Sequence, residues 1–238
     1  MSVGTLYMIP VMLGDADPLK LLSPQVKAIV DNLDEFIVEN SKNARAFLKK
    51  MQIPTEQSAL TLHELNKHTD RSEASAFLDA CNAGKSIGLL SDAGCPGVAD
   101  PGADMVYLAH QKNIKVVPLI GPSSILLAVM ASGMNGQSFA FNGYLPIDKL
   151  ARKKAIRELE QRSQQLNQTQ LFIETPYRND QLFEELTKTC SNQTTIGVAC
   201  DLTLKTEYVK SLPTTQWRKN KKTSLHKRPA IFMIHKNS

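Results

Sequence analysis

Cysteine is scarce in this chain of 238 residues. The four present, Cys81, Cys95, Cys190 and Cys200, form no CxxC pair and no zinc-type spacing. That pattern fits reduced thiols in a cytoplasmic protein and offers no metal site. The common nucleotide-binding fingerprints are missing as well: there is no GxxxxGKS/T, and no GxGxxG opens a helix after the first strand. This argues against a P-loop enzyme and against a nicotinamide oxidoreductase. Residues 116–147 carry no charge, but Pro118, Gly121, Pro122, Gly133, Asn135 and Gly136 interrupt them. The unbroken apolar run Ile125–Ala131 is far short of the ~20 residues a membrane helix needs. The first ten residues lack a basic stretch and a long apolar run, so no secretory leader and no membrane association are expected.

What remains is an ordinary globular composition, 42% hydrophobic and 21% charged, long enough for a sizeable core. The formal net charge of +5 permits an anionic partner without demanding one. Positive charge concentrates in WRKNKKTSLHKR, residues 217–228. Two readings stay open there: a solvated loop, or a phosphate-contacting segment, since clustered Lys and Arg release counterions from nucleic acid.

The periodicity alternates between short apolar strands and amphipathic helices. Strands are predicted at 5–10, 35–39, 86–91 and 114–120, with helices at 23–33, 41–51, 70–84, 103–113 and 122–133. Ser23 followed by Pro24 is a helix-start signature. The helix at 122–133 is apolar on most faces and is expected to be buried. Further on, strands are predicted at 138–145, 169–176 and 194–203, with helices at 148–166 and 178–190. The stretches 206–212 and 228–236 read as additional, antiparallel strands. The expected fold class is α/β, each of two domains a mostly parallel or mixed sheet flanked by helices, with domains at 1–120 and 121–238.

One segment stands apart. LLSDAGCPGVADPG, residues 89–102, leaves a buried strand through three glycines, two prolines and two aspartates. Open α/β sheets bind ligands in such loops. Gly94, Gly97 and Gly102 permit close backbone approach and positive φ, while Pro96 and Pro101 stiffen the loop. The alternative is a plain strand–helix connection in which Asp100 caps a helix starting at Pro101. A second turn of this kind is PLIGPSSILLAVMASG, residues 118–133, where Ser123 and Ser124 offer hydroxyl and N–H groups at a helix start, either as caps or as anion ligands.

Taken together, SDAGCPGVADPG and VVPLIGPSSILLAVMASG resemble the tetrapyrrole (corrin/porphyrin) methylase superfamily, and within it the bacterial small-subunit ribosomal RNA cytidine 2′-O-ribose methyltransferases. LYMIP, VENSK (38–42), LHELN (62–66), FNGYLP followed by KLARKK, LFIETPYR (171–178) and VACDLTLKTE (198–207) fall in the order of that family's further motifs. The resemblance implies a tetrapyrrole-methylase-like fold with a cofactor cleft between two domains. It implies S-adenosylmethionine as cofactor, a homodimer, no metal, and ribosomal RNA or the small ribosomal subunit as partner. By matching positions it assigns Pro10, Ser91, Asp92, Ala93, Gly94, Ser123, Ser124 and Ile125 to the cofactor, and Thr175, Pro229 and Ala230 to its adenine.

A ribose hydroxyl is a weak nucleophile, so a general base is sought. Glu39 is the first candidate and Asp100 the second. Lys42 and Arg178 are candidates for orienting the substrate phosphate. His63 and His68 read as loop histidines rather than bases. The sequence departs from the family at several points: the acidic box is Glu39-Asn40-Ser41-Lys42, Tyr177 stands where the family has His, and Cys200-Asp201 replaces Arg-Glu. A methylase of a small molecule such as a tetrapyrrole, and an RNA-binding paralogue without turnover, are the alternatives that these departures leave open.

Overall fold

The computed structural model describes residues 3–65, 69–220 and 223–237. Asn66 and His68, and Lys221 and Lys222 of the basic segment, lie outside the described residues. The chain divides into two compact units, with the boundary between Ser123 and Ser124.

The first unit runs β1 (Thr5–Ile9), α1 (Pro18–Leu21), α2 (Pro24–Val30), β2 (Glu35–Val38), α3 (Ser41–Lys50), β3 (Thr61–Glu64), α4 (Arg71–Ala76), α5 (Asp79–Asn82), β4 (Ile87–Leu90), α6 (Ala103–Gln111) and β5 (Lys115–Pro118). Its sheet has the order β3-β2-β4-β1-β5 and every pairing is parallel. A parallel sheet is covered on both faces, which is why IGLL in β4 is buried at all four positions. Alternate residues serve two separate cores. Ile9, Phe36 and Val38 meet Val26, Val30, Phe47 and Leu48 on one face. Leu6, Ile37 and Leu89 meet Ala74, Leu78, Met105 and Leu108 on the other. Each such large side chain contributes about 1.5–3 kcal/mol by leaving water.

The connections fix where a ligand fits. The chain leaves β1 for β2 over the α2–α3 face and leaves β4 for β5 over the α6 face. β1 and β4 are neighbours, so their following loops diverge to opposite faces. That divergence is the topological switch point at which open sheets leave a crevice beyond their carboxyl ends.

Ser23 caps α2 as its sequence announces, accepting from the Val26 N–H at 3.3 Å with Pro24 in the first turn. Three local expectations are corrected. The single helix over 70–84 is two short ones, because Leu78 sits at φ −94°, ψ 1° and the tighter bonds Leu78 N–H to Ser75 O and Cys81 N–H to Leu78 O interrupt the regular ladder. Residues 61–64 form the edge strand β3, so His63 is a strand residue, not a loop one. Its ring stacks on Phe77 and its Nε2 lies 2.9 Å from Glu35 Oε1. Finally, Asp100 caps nothing: α6 starts at Ala103 with Gly102 before it and has no side-chain cap.

The second unit runs α7 (Ser124–Ser132), β6 (Phe139–Tyr144), α8 (Lys149–Leu166), β7 (Thr169–Ile173), α9 (Asn179–Thr189), β8 (Thr195–Cys200), β9 (Tyr208–Pro213), α10 (Thr214–Lys219) and β10 (Ala230–His235). The sheet order is β6-β7-β10-β8-β9; β6–β7 is parallel and the other pairings antiparallel. One core lies under α8, α9 and α10, where Ile156, Phe172, Phe183, Leu186, Phe232 and Trp217 meet. Trp217 sets its ring edge-on to Phe183 and donates from Nε1 to the Ile196 carbonyl at 2.8 Å. Trp217 therefore makes the start of the basic segment a helix with a buried anchor rather than a solvated loop.

α7 lies against β8, β9 and β10, yet it is not the buried helix its composition suggests. Only Ala128 and Ser132 are buried, while Leu126 is 53% and Met130 79% exposed. The small residues face a sheet surface that is itself crowded: a Cβ on Gly197 would stand 3.0 Å from the ends of Met134 and Met233. Among the described residues no helix is long and apolar enough to cross a membrane.

Candidate functional site

Three loops leave the carboxyl ends of β4, β1 and β5, and they are stitched to one another. Val11 donates to the Gly94 carbonyl at 2.8 Å and Gly94 donates back to the Val11 carbonyl at 3.0 Å. The Cys95 Sγ donates to the Pro122 carbonyl at 3.4 Å. Ser91 is buried and its hydroxyl donates to the Ala93 carbonyl at 3.1 Å. Pro10 and the turn after β5 are in direct contact, since a Cβ on Gly121 would fall 2.2 Å from Pro10 Cγ. Pro10, Ser91–Gly94 and the turn leading to Ser123 thus form one backbone-lined cradle. The glycines have a conformational reason: φ is +73° at Gly94, +75° at Gly97 and +131° at Gly102, values that a side chain resists.

Gly121→Ala is expected to force Pro10 and the turn apart. Overpacking of this kind costs roughly 1–3 kcal/mol, and the cradle's ligand affinity should fall at least about tenfold in a calorimetric titration. Unchanged stability and affinity would show that the contact is not structural.

Three carboxylates ring the same strand ends. Glu39 follows β2, and its Oε2 accepts from the Asp92 backbone N–H at 3.3 Å. Asp92 Oδ2 accepts from Asn43 Nδ2 at 2.9 Å. Asp100 is half-buried; burial, then the charges of Glu39 and Asp92, push its carboxyl up to about 6. Among the described residues none of the three forms an ion pair. A partly buried carboxylate beside two like charges is held at an energetic cost, and a cation brought to the cradle relieves it. Backbone groups for an extended polar ligand plus an uncompensated acidic rim therefore fit a molecule that carries an ammonium or sulfonium. Lys42 stands exposed on the first turn of α3, whose N-cap is Asn40. Asn43 was not legible as a site residue: its partner Asp92 lies 49 positions away.

In the second unit the register that pairs Ile231 with Ile173 brings Thr175 and Pro229 to one end of the β7–β10 pair. Ala230 opens β10 opposite Cys200, and the Pro229 carbonyl accepts from Asp201 N–H at 3.0 Å. Glu174, 2% exposed at its side chain, accepts from Thr175 N–H and from Arg178 Nη2, both at 2.6 Å. Burial raises the Glu174 carboxyl, but the Arg178 guanidinium and the Thr175 N–H outweigh it and hold the group below its ordinary value. Arg178 Nε is buried without a partner, while the side chain as a whole is 34% exposed, so Arg178 is both a clamp on Glu174 and a partly exposed cation. Ser124 and Ile125 form the first turn of α7 and are partly exposed. Among the described residues no group of His, Cys, Asp and Glu could hold a metal ion.

A parallel sheet with a glycine-lined, acid-rimmed cradle at its switch point, followed in the chain by a second, mixed α/β unit, defines a class: two-unit α/β proteins whose strand-end loops suit a cationic ligand. Residues 5–216 match the model of the Tetrapyrrole (Corrin/Porphyrin) Methylases, and the chain belongs to that family. It is accordingly a methyltransferase, and its methyl donor is S-adenosylmethionine. The chain is 30% identical over 208 residues to Ribosomal RNA small subunit methyltransferase I of Vibrio cholerae, spanning 87% of this chain and 68% of that protein. It is 28% identical over 201 residues to the protein of that name from Synechocystis, spanning 84% and 68%. With the Streptococcus pyogenes protein it shares 34% over 175 residues, 74% of this chain and 57% of that one. In three dimensions it resembles the methyltransferase CobJ, with a TM-score of 0.63, 16% identity and coverage of 98% and 94% of the two chains. It also resembles the cobalt precorrin-4 methyltransferase CbiF, with a TM-score of 0.60, 12% identity and coverage of 97% and 94%. At these identities the structural likeness shows the fold alone.

Proposed function

We propose that the chain methylates the ribose 2′-oxygen of a cytidine in small-subunit ribosomal RNA. The relatives similar in sequence are named as ribosomal RNA methyltransferases, whereas CobJ and CbiF, at 16% and 12% identity, are compared by fold alone. The observation that carries the chemistry is Asp100, a carboxyl with a value of about 6 beside the cradle. A ribose hydroxyl needs its proton removed as it attacks, and a base titrating near neutral pH is suited to that task.

Bound in the cradle, S-adenosylmethionine supplies an electrophilic methyl group on a sulfonium. Pro10, Ser91, Asp92, Ala93, Gly94 and the Ser123–Ile125 turn hold it, with Thr175, Pro229 and Ala230 serving the adenine. Asp100 accepts the hydroxyl proton as the ribose oxygen takes the methyl, and later releases that proton to water. Glu39 fixes the Asp92 backbone and keeps Asp100 basic through its charge. Lys42 and the exposed part of Arg178 orient the substrate phosphate. Alignment of oxygen, methyl and leaving sulfur is itself worth up to ~7–11 kcal/mol of the barrier. The working form is a homodimer in the cytoplasm, acting on ribosomal RNA or the small subunit.

The test is methylation of small ribosomal subunits lacking this mark, followed by digestion to nucleosides and mass spectrometry. The expected product is cytidine carrying one methyl on the sugar. Methyl on a base, methylation of a porphyrin alone, or RNA binding without turnover would each refute the proposal.

A further inference from the structure

We infer that Tyr177, with Lys227 beside it, is a stacking platform for one unpaired nucleotide of the RNA; the inference rests on the proposed RNA substrate and names where a flanking base is held. Tyr177 occupies the turn between β7 and α9, and its side chain is 69% exposed. A tyrosine packed for stability buries its ring; this one does not. Instead it is flanked by a cation and an imidazole ring. Lys227 Nζ stands 5.7 Å from the ring centroid, and the His226 ring meets it edge-on at 5.8 Å.

The platform is rigid. Residues 224–228 are clamped onto the second unit through bonds that do not involve the tyrosine ring. Leu225 is buried, and its N–H donates to Asp180 Oδ1 at 2.6 Å, beside the Ser224 hydroxyl on Asp180 Oδ2 at 3.0 Å. Asn179 Nδ2 donates to the Arg228 carbonyl at 2.6 Å, and Arg228 Nε donates to Asp201 Oδ2 at 2.8 Å. Lys227 is held at φ +61°, its N–H donating to the Pro176 carbonyl at 2.9 Å. A left-handed φ on a non-glycine residue is unfavourable unless its surroundings impose it, and here the imposed turn sets the ammonium over the ring. Asp180 and Asp201 are spent on the clamp. Among the described residues no carboxylate pairs with Lys227, and Glu207 is the last acidic residue of the sequence.

A ring 69% exposed with an unneutralised ammonium over it suits a base on the rest of the ring surface and that nucleotide's phosphate on the lysine. A paired base is unavailable for such stacking, so the platform selects a single-stranded nucleotide. It stands two residues beyond Thr175 and next to Arg178, at the end of the unit where the adenine contacts are proposed.

The test uses the full chain and a fluorescein-labelled single-stranded RNA of about twelve nucleotides, with anisotropy read at about 50 to 200 mM salt. Tyr177→Ala is expected to weaken binding about 10–100-fold, and Tyr177→Phe to stay within about threefold of the parent. Lys227→Ala should flatten the log–log salt slope by about 0.7, one phosphate contact on a single strand. The thermal midpoint of Tyr177→Ala should stay at the parent value, since the ring is mostly in solvent. Undiminished binding by Tyr177→Ala, or equal affinity for the same strand annealed to its complement, overturns the platform and leaves the RNA substrate standing. Failure of the parent protein to bind RNA removes both.

Discussion

Asp100→Asn is expected to lower methyl transfer about 10²–10⁴-fold, the usual contribution of a general base, while S-adenosylmethionine still binds. The parent enzyme's kcat/KM should rise with pH and level off with a midpoint near 6, the value at which the free enzyme's Asp100 titrates. In kcat the midpoint should move lower, because a bound sulfonium favours the ionised carboxylate. The variant should lose this limb altogether. Stability moves the other way. The folded value is raised above the ordinary 3.8, so the folded protein holds more protons than the unfolded chain between about pH 4 and 6 and loses stability as pH rises through that window. Asn in place of Asp removes the like-charge strain. At pH 8 the variant should therefore be more stable, by on the order of 1 kcal/mol once solvent screening is allowed for. Glu39→Gln should reduce the rate less and shift the midpoint downward, since one of the charges raising Asp100 is gone. A rate loss for Glu39→Gln exceeding that for Asp100→Asn would exchange their roles.

Arg178→Ala should be the most destabilising single change at the end of the second unit that carries Thr175 and Pro229. It strands Glu174, whose side chain is 2% exposed, and breaking a buried pair from one side costs roughly 3–5 kcal/mol. Because Glu174 titrates below its ordinary value in the folded chain, its contribution is present above about pH 4.5 and is lost as pH falls through the folded value. The gap between parent and variant should then be widest at neutral pH and narrow in acid. Urea unfolding followed by Trp217 fluorescence measures this directly. Trp217 is the one tryptophan in the sequence and is buried against Phe183 of α9. Adding Glu174→Gln to the variant should recover more than half of the loss. A penalty below about 1 kcal/mol, or one that ignores pH, would make Arg178 a surface group free to serve substrate alone.

Much of this was legible in the sequence, for identifiable reasons. β1, β2 and β4 are short, largely buried apolar runs, β1 being followed by Pro10, and 89–102 announces its loop by residue type. The carboxylate rim was only partly visible. Glu39 and Asp100 could be named, but their mutual influence across a sheet, and Asn43 reaching Asp92, depend on strand order. α7 misled because apolar composition reports what a helix tolerates, not which side meets the sheet: Ala128 and Ser132 do, while Leu126 and Met130 do not. β3 was missed because TLHE carries no apolar alternation and is a strand through its pairing with β2. The basic run 217–228 concealed two buried anchors, Trp217 in α10 and Leu225 in the turn that sets Lys227 over Tyr177.

The most direct measurement is calorimetric titration of the protein with S-adenosylmethionine at pH 8 and at pH 5. The expected result is saturable one-site binding at pH 8, weakened by up to about tenfold at pH 5 as Asp100, with its value of about 6, takes up a proton, and weakened also at pH 8 by Gly121→Ala. Absence of binding at millimolar ligand, or an affinity indifferent to both pH and Gly121→Ala, would contradict the assignment of the cradle.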